Sequence, residues 1–164
     1  MPAYTFTSGS VLTASQCNSY MSNCAASAKR DSALAIGNAT DVVVSWSSEE
    51  FDNDNMWVNT STSRITVNTA GIYTVSFNIS WASNATGERI AWIQKNGSGA
   101  SRWGMVRGAA SAAGETIMSS TTIMSLAVND YIEVGVYQSS GGNLNIGGSG
   151  TSPSRFGASR VSAA

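Results

Sequence analysis

The chain of 164 residues has a mass of 17.0 kDa, which predicts one main domain rather than two well-cored ones. Nine basic and ten acidic residues give a formal net charge of −1, so no basic surface for DNA or RNA is expected. No histidine is present to act as the usual base of a nucleophilic triad, and no motif supports catalysis. We therefore expect neither an enzyme nor a cofactor.

The aliphatic residues favour strands over helices. The sequence holds 12 Val and 10 Ile but only 4 Leu, and side chains branched at Cβ suit a pleated sheet better than a helix. No apolar run reaches the ~18–20 residues that a membrane-spanning helix needs, and the N-terminus lacks the layout of a signal peptide. The composition predicts an all-β protein without a membrane span.

The first 40 residues differ from the rest of the chain and are predicted to contain one amphipathic helix. Residues 13–16 (Thr-Ala-Ser-Gln) fit a capping box, with Leu12 in the position of a hydrophobic staple. An apolar stripe follows at helical spacing, formed by Cys17, Tyr20, Met21, Cys24 and Ala28. Lys29 and Arg30 suit the C-terminal end of the helix, and residues 31–40 then form a connector.

The two cysteines lie seven residues apart. On a helix this spacing separates their Cα atoms by ~10 Å, which is too far for a disulfide. We interpret Cys17 and Cys24 as small apolar residues on the buried stripe. An interchain bridge or a metal site is the alternative.

From residue 41 onward the apolar residues recur with a period of two. Val42, Val44 and Trp46 alternate with polar residues, and Ile65 and Val67 repeat the pattern. The clearest strand covers residues 71–81, where polar Thr, Ser and Asn alternate with one apolar face. That face is predicted to lie in the core or at an interface between subunits, and it consists of Tyr73, Val75, Phe77, Ile79 and Trp81.

Further strands are predicted at residues 88–95, 115–128, 131–138, 143–146 and 155–161, with turns at Asn96-Gly97 and Asn129-Asp130. The additional candidates for the core or the subunit interface are Ile132, Val134, Val136, Tyr137 and Phe156. Many short strands without interleaved helices predict an antiparallel sandwich or jelly roll.

The densest acidic segment covers residues 49–55 and could offer oxygen ligands to Ca²⁺. An EF-hand loop that begins at Asp52 is excluded, because Met56 and Trp57 occupy the positions of an oxygen ligand and a glycine. A looser metal site at Asp52 and Asp54 remains as an alternative to a solvated loop.

Residues 64–77, which pass through Ala70-Gly71 and Tyr73 into the long alternating strand, resemble the signature of the complement-1q/tumour-necrosis-factor jelly roll. Similar segments follow in order at residues 93–97, 126–132, 136–141 and 155–157. The resemblance covers residues 41–162. It implies a ten-stranded jelly roll that assembles as a tight homotrimer.

The opening residues 4–16, together with Asn18 and Tyr20, are similar to the starts of structural proteins of bacterial viruses. This resemblance implies that residues 1–40 form an arm, a helix and a connector for attachment, and that residues 41–164 form the head domain. The candidate attachment residues are Tyr4, Phe6, Leu12, Cys17, Tyr20, Met21 and Cys24.

The leading hypothesis is a non-enzymatic phage protein on the virion surface, assembled in the host cytoplasm. It would be a homotrimeric capsid decoration, cement protein or short head fibre, with phage capsid proteins as partners. A tail-associated fibre or adaptor, with tail proteins as partners, is the alternative. A tip that binds a host receptor or glycan is a further alternative, for which Trp57, Trp92 and Trp103 are candidates.

Overall fold

The computed structural model describes Gly9, Val11, Thr13, Ala14, residues 24–148 and residues 152–163. Twelve strands lie in these ranges: β1 (Ala25–Arg30), β2 (Leu34–Ile36), β3 (Val42–Val43), β4 (Ser48–Asp52), β5 (Arg64–Thr66), β6 (Gly71–Trp81), β7 (Asn84–Lys95), β8 (Trp103–Ser111), β9 (Thr116–Leu126), β10 (Tyr131–Gln138), β11 (Leu144–Ile146) and β12 (Ser154–Ser162). In the ranges described, no helix is long and apolar enough to cross a membrane.

The strands form two antiparallel sheets. In the seven-stranded sheet, β6 lies between β12 and β9, and β12 continues to β1 and β4. β11 pairs with β6 at Trp81, beyond the residues that pair with β12, and β2 pairs with β11. In the five-stranded sheet the order is β3, β10, β7 and β8, and β5 also pairs with β10. This arrangement confirms the predicted all-β jelly-roll class, with two strands more than the ten that the resemblance implies.

The core lies between the two sheets, and β6 supplies its largest share. The side chains of Tyr73, Val75, Phe77, Ile79 and Trp81 are all buried, whereas Ser76 between them is exposed. From the opposite sheet, Ile132, Val134 and Val136 of β10 enter the same core. Phe156 of β12 stacks on Trp46, with ring centroids 5.5 Å apart. A period of two thus separates the core from the surface, because successive strand residues point to opposite faces.

An aromatic ring lies flat on the outward face of the five-stranded sheet at Gly135. A Cβ atom at Gly135 would lie 2.3 Å from Cε2 of Trp92, so only glycine lets the indole approach the strand this closely. The guanidinium of Arg102 covers the other side of the ring, 3.9 Å from its centroid. Tyr137, on the same outward face, is half-buried.

Residues 25–30 form strand β1 and not the end of a helix, so the helix predicted up to Arg30 is wrong over this segment. Cys24, Ala26 and Ala28 are buried in the core. The four-residue step from Cys24 to Ala28 fits a helical stripe and an alternating strand equally well, so this spacing does not distinguish the two. Small side chains at Ala26 and Ala28 suit a central strand held between β12 and β4.

The segment predicted as a connector also contains a strand. Residues 34–36 form β2, which pairs with β11 in the seven-stranded sheet. Residues 25–36 therefore belong to the jelly roll. An attachment arm, as we propose below, is confined to the residues before Cys24.

Both predicted turn dipeptides are turns, but only one joins adjacent strands closely. Asn96 and Gly97 both have positive φ, at 53° and 69°, as a primed turn requires. The next strand nevertheless begins only at Trp103, so the loop is longer than the predicted tight hairpin. Asn129, with φ 69°, turns the chain between β9 and β10.

One carboxylate fastens these two turns to each other. Asn96 Nδ2 donates to Asp130 Oδ1 over 2.8 Å, and the backbone N–H of Ala127 donates to Asp130 Oδ2 over 2.7 Å. Lys95 Nζ lies 2.6 Å from the same Oδ2 atom. Partial burial alone would raise the pKa of Asp130, but the hydrogen bonds from Asn96, Lys95 and Ala127 outweigh it and lower the pKa to about 2.

We predict that Asp130→Asn lowers the free energy of unfolding at neutral pH by roughly 1.5–3 kcal/mol, because it removes hydrogen bonds to a charged group. The folded-state pKa lies below the ordinary value of 3.8, so the contribution of the carboxylate is complete above that value and is lost as the pH falls towards 2. Urea unfolding across this range should show the two proteins converging.

Asp41→Asn is the matched control. It removes an exposed ion pair to Arg102, and such pairs contribute under about 1 kcal/mol. A stability difference between Asp130→Asn and the unchanged chain that stays constant down to the lowest pH would contradict the prediction.

Candidate functional site

The outward face of the seven-stranded sheet is built from small polar residues. We call it the small-residue face and define it by Ala25, Ser27, Thr74, Ser76, Asn78, Ser119, Thr121, Gly157 and Ser159, which come from β1, β6, β9 and β12. All of them are exposed or half-buried. No large side chain stands on the middle of this face, so another backbone can approach it closely.

The strand register aligns these residues across the sheet. Ser27 pairs with Phe51 on one side and with Gly157 on the other. Gly157 pairs with Ser76, and Ser76 pairs with Thr121. Because Gly157 has no side chain, this row of paired residues leaves a shallow groove at its centre. The groove has a volume of about 430 Å³ and is bounded on one side by Phe51.

Exposed apolar side chains surround the small-residue face. Phe51 on β4 is 56% exposed and Ile123 on β9 is 66% exposed, and Ile117 and Val161 are similarly open. Arg155 pairs with Glu50 at the edge of the groove, with Nε and Oε1 3.0 Å apart. Small residues framed by apolar ones form a surface suited to packing against another sheet or a second copy.

The chemistry of this surface is that of packing and hydrogen bonding. Its polar groups are mainly hydroxyls and an amide. Three charged residues, Lys29, Glu50 and Arg155, lie together beside the groove, where Ser27 Oγ donates to Glu50 Oε2 over 3.1 Å. In residues 24–148 and 152–163, no three Cys, Asp or Glu side chains lie close enough together to hold a metal ion.

Asp52 and Asp54, the weak metal candidates, organise the loop in which they lie. Asp52 Oδ1 accepts a hydrogen bond from the backbone N–H of Asp54 over 3.1 Å, and Asp52 Oδ2 accepts one from Trp57 over 2.8 Å. The backbone carbonyl of Asp54 accepts a bond of 2.6 Å from Asn68 Nδ2. Both oxygens of Asp52 are therefore engaged in holding the turn that follows β4.

Among the predicted attachment residues, only Cys24 is described, and it is 2% exposed. It lies against Tyr73, whose hydroxyl donates to the carbonyl of Thr69 over 2.6 Å. Burial, with smaller contributions that include Cys24, raises the pKa of Tyr73 to about 12. Cys24 is thus a core residue. The other six candidates, Tyr4, Phe6, Leu12, Cys17, Tyr20 and Met21, lie outside the described residues.

The three tryptophans considered for glycan contact differ in their exposure to solvent. Trp57 is buried, and Trp92 is buried beneath Arg102. Trp103, on β8, is 44% exposed. Stacking on a ligand is therefore open to Trp103 and closed to the other two.

Sequence reasoning recognised only one strand of the small-residue face. The polar positions of β6 were visible in the alternation, but the matching positions of β1, β9 and β12 become one surface only through pairing. A run of small polar residues on β9, Ser119 to Thr122, was the available signal. The sequence places Phe51 in an acidic segment that predicts a loop, whereas it lies on the edge strand β4.

No protein-family model matches the chain, and no curated protein matches it. The fold is similar to the globular domain of zebrafish complement 1qA protein, with a TM-score of 0.58, 13% identity, and coverage of 86% of this chain and 99% of that chain. It is also similar to murine APRIL at pH 5.0, with a TM-score of 0.63, 11% identity and coverage of 85% and 99%. For murine APRIL at pH 8.0 the TM-score is 0.61 and the identity 15%, with the same coverage.

At these identities the likeness shows the fold alone. The chain has a complement-1q/tumour-necrosis-factor-like jelly roll, the fold that the sequence resemblance implies.

Proposed function

We propose that this chain is a non-enzymatic structural protein that assembles as a homotrimer through the small-residue face and is displayed on the surface of a bacterial virus particle. The observation that carries the assembly is the exposed apolar frame around that face. Domains with this kind of jelly roll often form trimers, which supports a trimer over other assemblies.

The energetics favour covering this face. Burying a large apolar side chain contributes about 1.5–3 kcal/mol, and Phe51, Ile117, Ile123 and Val161 are all open to solvent. The hydroxyl groups between them can exchange water for partner groups, and no unpaired charge stands in the middle of the face. A second copy can therefore approach without desolvating an isolated ion.

The virion role is supported by the opening of the sequence, which is similar to the starts of phage structural proteins. Cys24 leads directly into β1, whose first residue, Ala25, lines the groove of the small-residue face. The chain thus enters the jelly roll at the edge of the proposed interface. The residues before Cys24 would there contact a capsid, as in a decoration, cement or head-fibre protein. A tail protein as the platform is the alternative.

We expect the full chain to have three times the mass of 17.0 kDa in solution, and Ser76→Arg to reduce it to that of a single chain. Ser76 is exposed at the centre of the groove, so an arginine there can leave the fold intact while placing a bulky charge in the interface. Light scattering after size exclusion gives the mass, and circular dichroism verifies the fold.

Ala109→Arg is the matched control, because Ala109 is exposed on β8 of the other sheet. It should leave the mass of the assembly unchanged. A monomeric unchanged chain, or a folded Ser76→Arg variant that keeps the full assembly mass, would contradict assembly through this face.

Deleting residues 2–23 tests the arm separately. All twelve described strands remain, so we expect a folded trimer that no longer co-sediments with particles of the virus that encodes the chain. The full-length protein added to the same particles is the control. If the deletion variant binds the particles as the full-length protein does, the arm hypothesis is wrong, whereas the proposed trimer is unaffected.

Glycan recognition is a second candidate function, favoured by the exposure of Trp103. An exposed indole can stack on the apolar face of a sugar ring. We expect hits on an array of bacterial surface glycans to disappear with Trp103→Ala and to persist with Met105→Ala, which removes another exposed side chain of β8. An array without hits for the folded protein would count against this function.

A further inference from the structure

Arg89 is a cation that lies entirely inside the molecule. It stands on β7 opposite Gln138 of β10 and is 0% exposed. A fully buried charge is costly unless an opposite charge lies beside it. Burial lowers the pKa of the guanidinium from its usual value, as expected for a desolvated cation.

The partners of the Arg89 guanidinium are neutral oxygens. Nη1 donates to the carbonyls of Thr86 and Glu88 over 2.9 and 3.0 Å, and Nη2 donates to the carbonyl and side-chain oxygens of Asn84 over 3.3 Å. The nearby carboxylate of Glu88 instead pairs with Arg107 at 2.9 Å. Among the described residues no acid forms an ion pair with Arg89, so its charge is left without a counter-ion.

Two buried N–H groups in this neighbourhood also have no acceptor. They are Nε of Arg89 and Nε1 of Trp81. The guanidinium carbon of Arg89 lies 5.9 Å from the ring centroid of Trp81, and Trp81 is itself fully buried. The ring face attracts the guanidinium at this distance but accepts no hydrogen bond from either of these N–H groups. Native structures rarely leave buried donors unsatisfied.

We propose that a small monovalent anion of chloride size binds in the interior between Nε of Arg89 and Nε1 of Trp81. Both groups donate and neither accepts, which matches an anion. The negative charge also offsets that of Arg89, which a water molecule in the same place would not do.

The anion has a structural consequence. Arg89 holds the start of β7 through residues 84–88, and Trp81 ends β6, so a shared ligand ties the ends of two strands from different sheets. Close by, Gln138 Nε2 donates to the carbonyls of Ile36 and Gly142 over 3.0 and 2.7 Å. The anion therefore completes a polar cluster at this end of the jelly roll.

The first experiment is a crystal structure of the full chain grown in sodium bromide, recorded at the bromine absorption edge. We expect an anomalous peak within hydrogen-bond distance of both nitrogen atoms. A water molecule or a protein group at that place, without an anomalous peak, would overturn the proposal.

The second experiment compares melting temperatures in sodium chloride and sodium gluconate at equal ionic strength. We expect a saturable rise of about 2–4 °C that is specific to chloride, because a ligand that binds only the folded state stabilises it. Trp81→Phe removes one donor and keeps the ring, so it should reduce or abolish the rise.

Trp46→Phe is the matched control. Nε1 of Trp46 is also buried without an acceptor, but its ring stacks on Phe156 and not beside an arginine. It should keep the full chloride response. Equal responses of the two variants, or no difference between the salts, would refute the anion site whatever the assembly state proves to be.

Discussion

The pairing of β6 with a neighbour on each side is the constraint on which the rest of the structure depends. Along its eleven residues β6 is hydrogen-bonded to β9 and over much of its length to β12. This fixes which side chains face inward, among them Tyr73, Phe77 and Trp81, and which face outward. A shift of one residue in register would exchange the core with the small-residue face. The register of β6 thus determines both the hydrophobic core and the proposed interface.

Small residues make this alignment possible at several points. Ala26 and Ala28 let β1 lie in the middle of its sheet, and Gly157 leaves the dip in the outward face. At Gly135 the strand accepts the flat ring of Trp92. The abundance of small residues is therefore a packing requirement as well as a matter of composition. It lets few large side chains, most of them aromatic or branched at Cβ, fill the core.

Polar groups inside the fold are concentrated where strands end. Asp130 joins two turns, Asp52 holds the turn after β4, and Arg89 and Gln138 fasten the opposite loops. Each of these side chains stabilises the fold by giving hydrogen-bond partners to backbone groups that would otherwise be buried without them. On the outward side of the seven-stranded sheet, the strands β6 and β9 carry no charged residue, which suits a protein whose work we propose to be assembly and display.

The alternation of residues 71–81 and 131–138 was enough to predict these strands, their buried sides and the all-β class, because a period of two is a local property. The secondary structure of residues 25–30 could not be predicted in this way, because the spacing of Cys24 and Ala28 fits a helix or a strand. Only pairing with β12 and β4 decides between them. β8 and the groove at Gly157 were likewise invisible, as was the neighbourhood of Trp81 and Arg89. These features join residues far apart in the chain, and tertiary structure alone brings their side chains together.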